Sequence, residues 1–471
     1  MTGSEAAALR GAWVLIAGLT LWRIVALWFN GTDLFVDEAQ YWAWGQHLDW
    51  GYFSKPPLIG WVIRAVTDIA GSDTPFFVRL AAPLFHGAAA LAVIWAARAF
   101  VDGWVAAWAG ALYVAMPLVT VGSSLISTDT IMLPFFALAL GAYGRLTEGP
   151  SLGRAVLLGV AVGLGLMAKY AMAYFVLCGV LVWIVQPSQR ISLRDAFVAS
   201  LIALAVFAPN IWWNIENDAQ TLRHVVDDNA QLGQVSLNPL GALQFLAEQA
   251  LAFGPILLGA VIWIALRRPR GAELTLLLFC LPIILLVTGQ AFMSRAYGNW
   301  AATAYVAGPI LAASALQMRR GLLVLSQVLN VGIALGLGLL LIFPTAIRDA
   351  SVKPLLNRYL GLDEVSLAAA ELARRADLTT LTSRDRSVLA DLLYTLDGDE
   401  LAVRAWRDPD DKVRHWYGAT FPVERPLSAP VGFLDKRKPP CEGAELVGPV
   451  DPGFGAWSDR GLKLWKLPVG C

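Results

Sequence analysis

The sequence predicts a mainly α-helical, polytopic membrane protein of about eleven spans that ends in a small α/β domain. Three observations carry this prediction. Hydrophobic residues fill 57% of the 471 positions and charged residues only 15%, against about 25% charged in ordinary soluble domains. Apolar runs approaching the roughly 20 residues that a helix needs to cross a bilayer recur as far as Phe343. Beyond that point the composition changes: residues 345–471 are charged, rich in Pro and Gly, and contain no apolar run of 18 residues.

Taken in order, the apolar segments are 11–29, 76–99, 104–121, 129–146, 154–168, 170–186, 195–213, 243–266, 272–289, 299–317 and 321–343. The pair 154–168 and 170–186 is the least span-like, because both are short and only Lys169 separates them. No small-residue cleavage site follows the first segment, so it reads as an uncleaved anchor. With the N-terminus placed in the cytoplasm, every inside loop carries arginine: Arg10; Arg98; Arg145 with Arg154; Arg190 with Arg194; Arg267, Arg268 and Arg270; Arg319 with Arg320. The outside segments are then 30–75, 122–128, 214–242, 290–298 and everything after 343. Positive charge marks the cytoplasmic side, so the chain reads as N-in and C-out, with the outside being the periplasm of a bacterium.

Residues 1–343 therefore form the membrane domain, and 344–471 a periplasmic one. In the latter, β-like runs at 378–382, 401–406, 430–434 and 461–467 and a helix-like stretch at 385–396 read as α/β. The net charge of zero gives no basic surface for nucleic acid. Neither a solenoid period nor transporter-like inverted symmetry is evident. Cys178 and Cys280 lie inside spans, where a thiol behaves as a small apolar group. Cys441 and Cys471, both in the outer domain, are expected to form a disulfide. No Cys/His spacing suggests zinc.

Asp37-Glu38 is the most informative feature. It follows the first span directly and opens the run DEAQYWAWGQHLDWGYFSKPPL, residues 37–58. Ionisable groups at a membrane boundary are costly and usually functional. Adjacent carboxylates diverge, so one can act as a general base while the other orients it or holds a cation; alternatively the pair sits in a first helical turn and complements its dipole. Lys55, beside the rigid Pro56-Pro57, is either a phosphate contact or a snorkelling interfacial lysine. Trp42, Trp44, Trp50 and Tyr52 read foremost as an interfacial aromatic belt. Asp129 in SSLISTDTIML shares its stretch with Ser127 and Thr128, any of which can cap the next helix. Lys169 in LMAKYAMAY is an anion contact or a snorkelling end. Arg295 in MSRAYGNWAA either clamps a phosphate or faces water. Tyr41, His224, Asn299 and Trp300 complete the candidate substrate pocket, His224 with a structural role as its alternative.

Together these segments resemble the bacterial protein-O-mannosyltransferase-like enzymes of the GT-C superfamily, whose best-known branch is the lipid A aminoarabinose transferase. DEAQYWAWGQHLDWGYFSKPPLIGW resembles their first outer loop; STDTIML, GLGLMAKYA, PNIWWNIENDAQTLRH and GNWAA agree, and DRSVLADLLYTL in the outer domain agrees more loosely. The resemblance covers residues 10–310 best. It implies Asp37 as catalytic base and Glu38 as supporting acid, Lys55 with Tyr52 at the lipid-linked phosphate, Asp129 as the acid of the next outer loop, and Arg295 with Asn299-Trp300 in a donor-site segment. The chain departs from the aminoarabinose branch in having fewer spans and the aromatic run WAWGQHLDW, so donor and acceptor are not carried over from that branch.

The expected reaction is inverting transfer of a sugar from a polyprenyl-phosphate donor to an envelope acceptor: lipid A, lipopolysaccharide core or another glycolipid before protein. No nucleotide cofactor is called for, and the sequence leaves room for a divalent metal near the acids without requiring one. The competing class is a carrier or flippase for a lipid or small anion. Such a protein places its ionisable residues mid-span at broken helices, whereas here they gather in loops on one face. A membrane-anchored sensor would not need the acidic pair.

Overall fold

The computed structural model describes residues 2–224, 226, 237–345, 356–408 and 412–471. Part of the 209–230 motif, namely 225 and 227–230, lies outside the described residues. Each of the eleven apolar segments is helical. Among the described residues, five helices are long and apolar enough to cross a membrane alone: Gly3–Trp28, Pro75–Ala97, Leu193–Glu216, Gly271–Met293 and Arg320–Ile342. Four shorter apolar helices, Gly103–Ala115, Leu152–Ala168, Tyr170–Val185 and Ala304–Leu316, overlap four other predicted spans. Local chemistry ends them. Met116 is extended (ψ 148°) because Pro117 follows it and starts a new turn. Lys169 is likewise extended (φ −161°, ψ 136°) between 168 and 170.

The segment 243–266 is not the single span the sequence suggested. It is two helices, Pro239–Phe253 and Pro255–Leu266, bent by 110°. Gly254 takes φ +97°, which L side chains avoid, and Pro255 has no N–H to continue the ladder.

The chain forms two compact units. The first comprises the residues up to Trp28, Asp49–Val62 and Arg79–Leu339. Its helices approach closely where side chains are small, as is usual in lipid, where no hydrophobic effect drives helices together. Leu152–Ala168 packs on Leu193–Glu216 through Gly159 and Gly163: a methyl group at Gly159 would lie 2.6 Å from the Ala199 carbonyl, and one at Gly163 2.6 Å from Val206 Cβ.

The second unit comprises Phe29–Leu48, Ile63–Val78 and Leu340–Cys471. Its sheet holds β1 (Thr380–Ser383), β2 (Ala402–Ala405), β3 (Val431–Asp435), β4 (Glu445–Val450) and β5 (Leu462–Leu467), in the order β2-β1-β3-β5-β4. β1 pairs in parallel with β2 and β3; β5 is antiparallel to β3 and β4. The helix Arg386–Thr395 makes the crossover that a parallel β1–β2 pair requires. The four β-like runs and the helix read from the sequence are present within a few residues; β4 and the helix Leu362–Arg375 were not foreseen. Trp406, Leu427, Val431, Phe433 and Leu467 form a core against which Cys441 and Cys471 pack, and those cysteines are bonded, with Cα atoms 5.9 Å apart.

Trp42, Trp44 and Tyr52 are not the interfacial belt that composition suggested. In the second unit Trp42 meets Tyr394 edge-on at 5.0 Å, and Trp44 meets Trp416 at 6.4 Å. Both indoles are buried, and in the first unit so is Tyr52; of the four, Trp50 alone is exposed. An aromatic side chain next to a membrane span and one in a folded core have the same composition, so sequence could not separate them.

Candidate active site

Each unit carries its own set of candidate residues. In the second, Phe35-Val36 opens the helix Val36–Gln46, which puts Asp37 and Glu38 in its first turn. The adjacent carboxylates part, as adjacency dictates. Glu38 is buried, and its Oε2 accepts the Phe35 N–H at 2.9 Å, closing the helix start on itself. Asp37 stays half-exposed and forms an ion pair with Arg386, the first residue of the helix Arg386–Thr395. Arg386 Nε also donates to Gln40 Oε1 at 2.7 Å, one helical turn beyond Asp37. The carboxylate and the Tyr41 and Tyr417 rings hold the guanidinium's pKa above its ordinary value against the opposing effect of burial. Tyr41 is buried and packs on Trp44 at 5.2 Å.

In the first unit, the loop 49–57 is fastened by the end of the helix Leu193–Glu216 and the turn after it. Asn210 Nδ2 donates to Trp50 O at 2.7 Å, Trp213 Nε1 to Asp49 Oδ2 at 2.7 Å, and Thr221 Oγ1 to Tyr52 O at 2.7 Å. Gly51 is obligatory, since a Cβ there would lie 2.4 Å from the Trp213 ring. Tyr52 N–H donates to Lys55 O, making the tight turn that precedes Pro56-Pro57. Burial raises the Tyr52 phenol pKa well above its ordinary value and keeps it protonated. His224 sits against Phe53, with ring centres 5.5 Å apart. Two motifs far apart in sequence, YFSKPP and PNIWWN…TLRH, are thus one structure.

A second convergence in the same unit centres on Asp129. Ser127 caps the helix Thr128–Leu146, leaving Asp129 in its first turn. Lys169 Nζ reaches Asp129 Oδ1 and Oδ2 at 2.7 and 2.8 Å, and Asn299 Nδ2 donates to Oδ2 at 2.8 Å. Lys169, read as an anion contact, is engaged with the protein's own carboxylate. Arg295 is exposed, 6.0 Å from the Tyr297 ring, and Trp300 meets the same tyrosine edge-on at 5.5 Å. Among the described residues, no group of three or more His, Cys, Asp or Glu is arranged to hold a metal ion.

A family model described as dolichyl-phosphate-mannose-protein mannosyltransferase matches residues 54–213. Over 470 residues the chain is 39% identical to the lipid A galacturonosyltransferase RgtD of Rhizobium johnstonii, a match covering 98% of this chain and 99% of that protein. The chain belongs to the GT-C glycosyltransferase family. Its fold is also that of ArnT from Cupriavidus metallidurans: the apo structure superposes with a TM-score of 0.70 at 14% identity, covering 98% of each chain. ArnT bound to undecaprenyl phosphate gives 0.68 at 15%, over 96% of this chain and 97% of that one. This GT-C chain is accordingly a multi-pass membrane glycosyltransferase.

Two residues of the GT-C chain's second unit escaped the sequence reading. Arg386 lies in DRSVLADLLYTL, but nothing local marks it as the partner of an acid 349 residues away. Tyr417 is fully buried, and its hydroxyl has no hydrogen-bond partner among the described residues. The same unit holds an acidic group in which Asp33 is partly buried and Asp391 fully so. Asp33 Oδ2 accepts the Leu362 N–H at 2.8 Å, and burial with Asp363 and Glu364 nearby raises the Asp33 pKa to about 7. Buried Asp391, which accepts from Ser366 and Thr395, is raised in the same direction by desolvation and by Asp363. An acid whose folded pKa exceeds its unfolded value binds its proton more tightly when folded, so stability is highest with both forms protonated and falls as pH rises. For Asp33 the fall spans the interval from its ordinary 3.8 to about 7. Thermal melts of the full chain in detergent should therefore show a midpoint declining between roughly pH 4 and 7, and Asp33→Asn should flatten that decline. An Asp33→Asn chain with an unchanged pH profile would exclude the residue as the source.

Proposed function

We propose that this GT-C enzyme moves a sugar from a polyprenyl-phosphate carrier to a glycolipid of the lipid A or lipopolysaccharide-core type, with inversion, at the periplasmic face of a bacterial inner membrane. The end-to-end similarity to a lipid A galacturonosyltransferase carries this reading. The fold shared with a protein that binds undecaprenyl phosphate supports the choice of carrier. Arginine in every inside loop supports an N-in, C-out orientation, and the Cys441–Cys471 disulfide suits an oxidising compartment for the second unit.

In the proposed reaction an acceptor hydroxyl oxygen attacks the anomeric carbon as Asp37 takes its proton. The bond from that carbon to the phosphate oxygen breaks, and polyprenyl phosphate departs with the bonding pair. Lys55 and Arg295 neutralise the leaving phosphate, and the proton on Asp37 passes to water. Glu38 contributes by starting the helix that presents Asp37. Lys169 and Asn299 fix Asp129. Tyr41 lies one turn beyond Asp37 on the same helix, and His224 and Trp300 belong to the first unit's candidate set.

The test is purified enzyme with a polyprenyl-phosphate-linked uronic acid and lipid A, followed by mass spectrometry of the acceptor. A mass gain of one sugar residue is expected. An acceptor that stays unmodified with every lipid-linked sugar offered, while the donor crosses the bilayer intact, would overturn transfer in favour of a carrier.

A further inference from the structure

Arg386 is placed where a guanidinium is awkward for the chemistry proposed. An Asp37 oxygen held by a guanidinium is not free to accept from an acceptor hydroxyl. Yet Arg386 holds Asp37 directly and grips the same helix again through Gln40. Nε and Nη2 make those two bonds; among the described residues Nη1 makes none. The side chain as a whole is 38% exposed. Its fork is planar and matches a carboxylate in a way that a lysine cannot.

Tyr417 is the second observation. Its hydroxyl is completely buried without a partner, a state that costs about 1–3 kcal/mol and calls for a reason. The ring is pinned between His415, whose Nδ1 accepts the Gly418 N–H, and Trp416, 5.2 Å away. It lies within electrostatic reach of both Arg386 and Asp37. One unit thus offers a half-used guanidinium, an unpartnered donor hydroxyl and the candidate base together.

We propose that Arg386 and Tyr417 are specificity-determining residues that bind the carboxylate of an acidic donor sugar, and that this carboxylate takes over part of Arg386 and leaves Asp37 to the acceptor hydroxyl. The proposal rests on the glycosyl-transfer reading above; the acidic class of sugar follows the similarity to a galacturonosyltransferase, and what is added is the side chains that read it. A neutral hexose has no group to draw Arg386 from Asp37, and it leaves the Tyr417 hydroxyl unpaired. A site built around such polar groups rejects the analogue that lacks their partner far more strongly than an apolar pocket rejects a missing methylene.

The experiment compares kcat/KM for two polyprenyl-phosphate donors that differ only at C6, a uronic acid and its hydroxymethyl counterpart, in the full-length wild type and in Arg386→Gln, Arg386→Lys and Tyr417→Phe. The wild type should prefer the uronyl donor by at least about 100-fold. Arg386→Gln should cut that preference to within about fivefold, chiefly by losing uronyl transfer, and Arg386→Lys, which keeps the charge without the fork, should fall between. Tyr417→Phe should lose about tenfold on the uronyl donor with no drop in thermal midpoint, because the deleted hydroxyl had no partner to lose. If Arg386→Gln does not fold, Arg386→Lys and Tyr417→Phe decide. An equal loss on both donors would make Arg386 a mere holder of Asp37 and overturn the proposal. So would a change confined to phosphorylated against dephosphorylated acceptor, which would point to an acceptor phosphate as the anion. A wild type that transfers the neutral sugar equally well refutes carboxylate recognition while leaving glycosyl transfer standing; one that transfers no lipid-linked sugar removes the reading beneath it.

Discussion

Asp37→Asn is expected to lower turnover by about 1000-fold or more, within the 100- to 10,000-fold range that a positioned general base contributes, while the protein folds and melts as before. The substitution keeps the volume and an oxygen that can accept from Arg386, so it removes the base and little else. Its cost to stability is small for a reason visible in the ion pair: the two side chains are 38% and 45% exposed, and pairs in that much solvent contribute about 0–1 kcal/mol. Single-turnover transfer, read beside a detergent melt, separates the two effects. Turnover within tenfold of wild type would take the base assignment away from Asp37; a melt lowered by many degrees would mean that its contribution is to the fold.

Lys169→Met should have the opposite profile, a large loss of stability. Lys169 and Asp129 are only 17% and 11% exposed, so removing the cation strands a buried carboxylate, which costs about 3–5 kcal/mol. Asn299 cannot offset this, since one neutral N–H to Oδ2 does not replace an ammonium that reaches both oxygens. Removing the acid as well, in Asp129→Leu/Lys169→Met, should recover much of the loss, because an apolar pair of similar volume has nothing to desolvate. Chemical denaturation of the three proteins in one detergent gives the comparison. A double substitution no more stable than Lys169→Met would show that the pair is not coupled.

The fold and the site were legible to different depths. Helices announced themselves through uninterrupted apolar composition, and four strands through short β-branched and aromatic runs between Gly and Pro. β4 did not: ELVGPV carries a Gly and a Pro inside the strand and exposes half its residues, which erases the alternation. The bend at Gly254-Pro255 had a local signal, but the apolar composition is the same on both sides and masked it. At the site, the motifs were readable because each is compact: Asp37 with Lys55, Asp129, Lys169, Asn299. Their pairings were not. Lys169 meets Asp129 from 40 residues away, Asn299 from 170 and Arg386 meets Asp37 from 349. Periodicity reports only what neighbours in sequence do, and contacts made by chain return leave no trace in it.

The assignment of Phe29–Leu48 to the same compact unit as Leu340–Cys471 has a consequence for how the protein is made. A ribosome releases the Val36–Gln46 helix early, but Tyr394, Trp416 and Arg386, which cover its indoles and hold its acid, emerge hundreds of residues later. Until then Trp42 and Trp44 have no core to enter and Asp37 has no cation. The chain therefore synthesises its candidate catalytic helix early and supplies that helix's partners late. A polypeptide that stalls or is clipped before Arg386 would carry every apolar helix and every motif of the first 343 residues and still lack the cation that pairs with Asp37. With Asp37 as the proposed base, this ties activity to completion of translation: a partly made copy in the membrane is expected to be silent toward lipid-linked sugars.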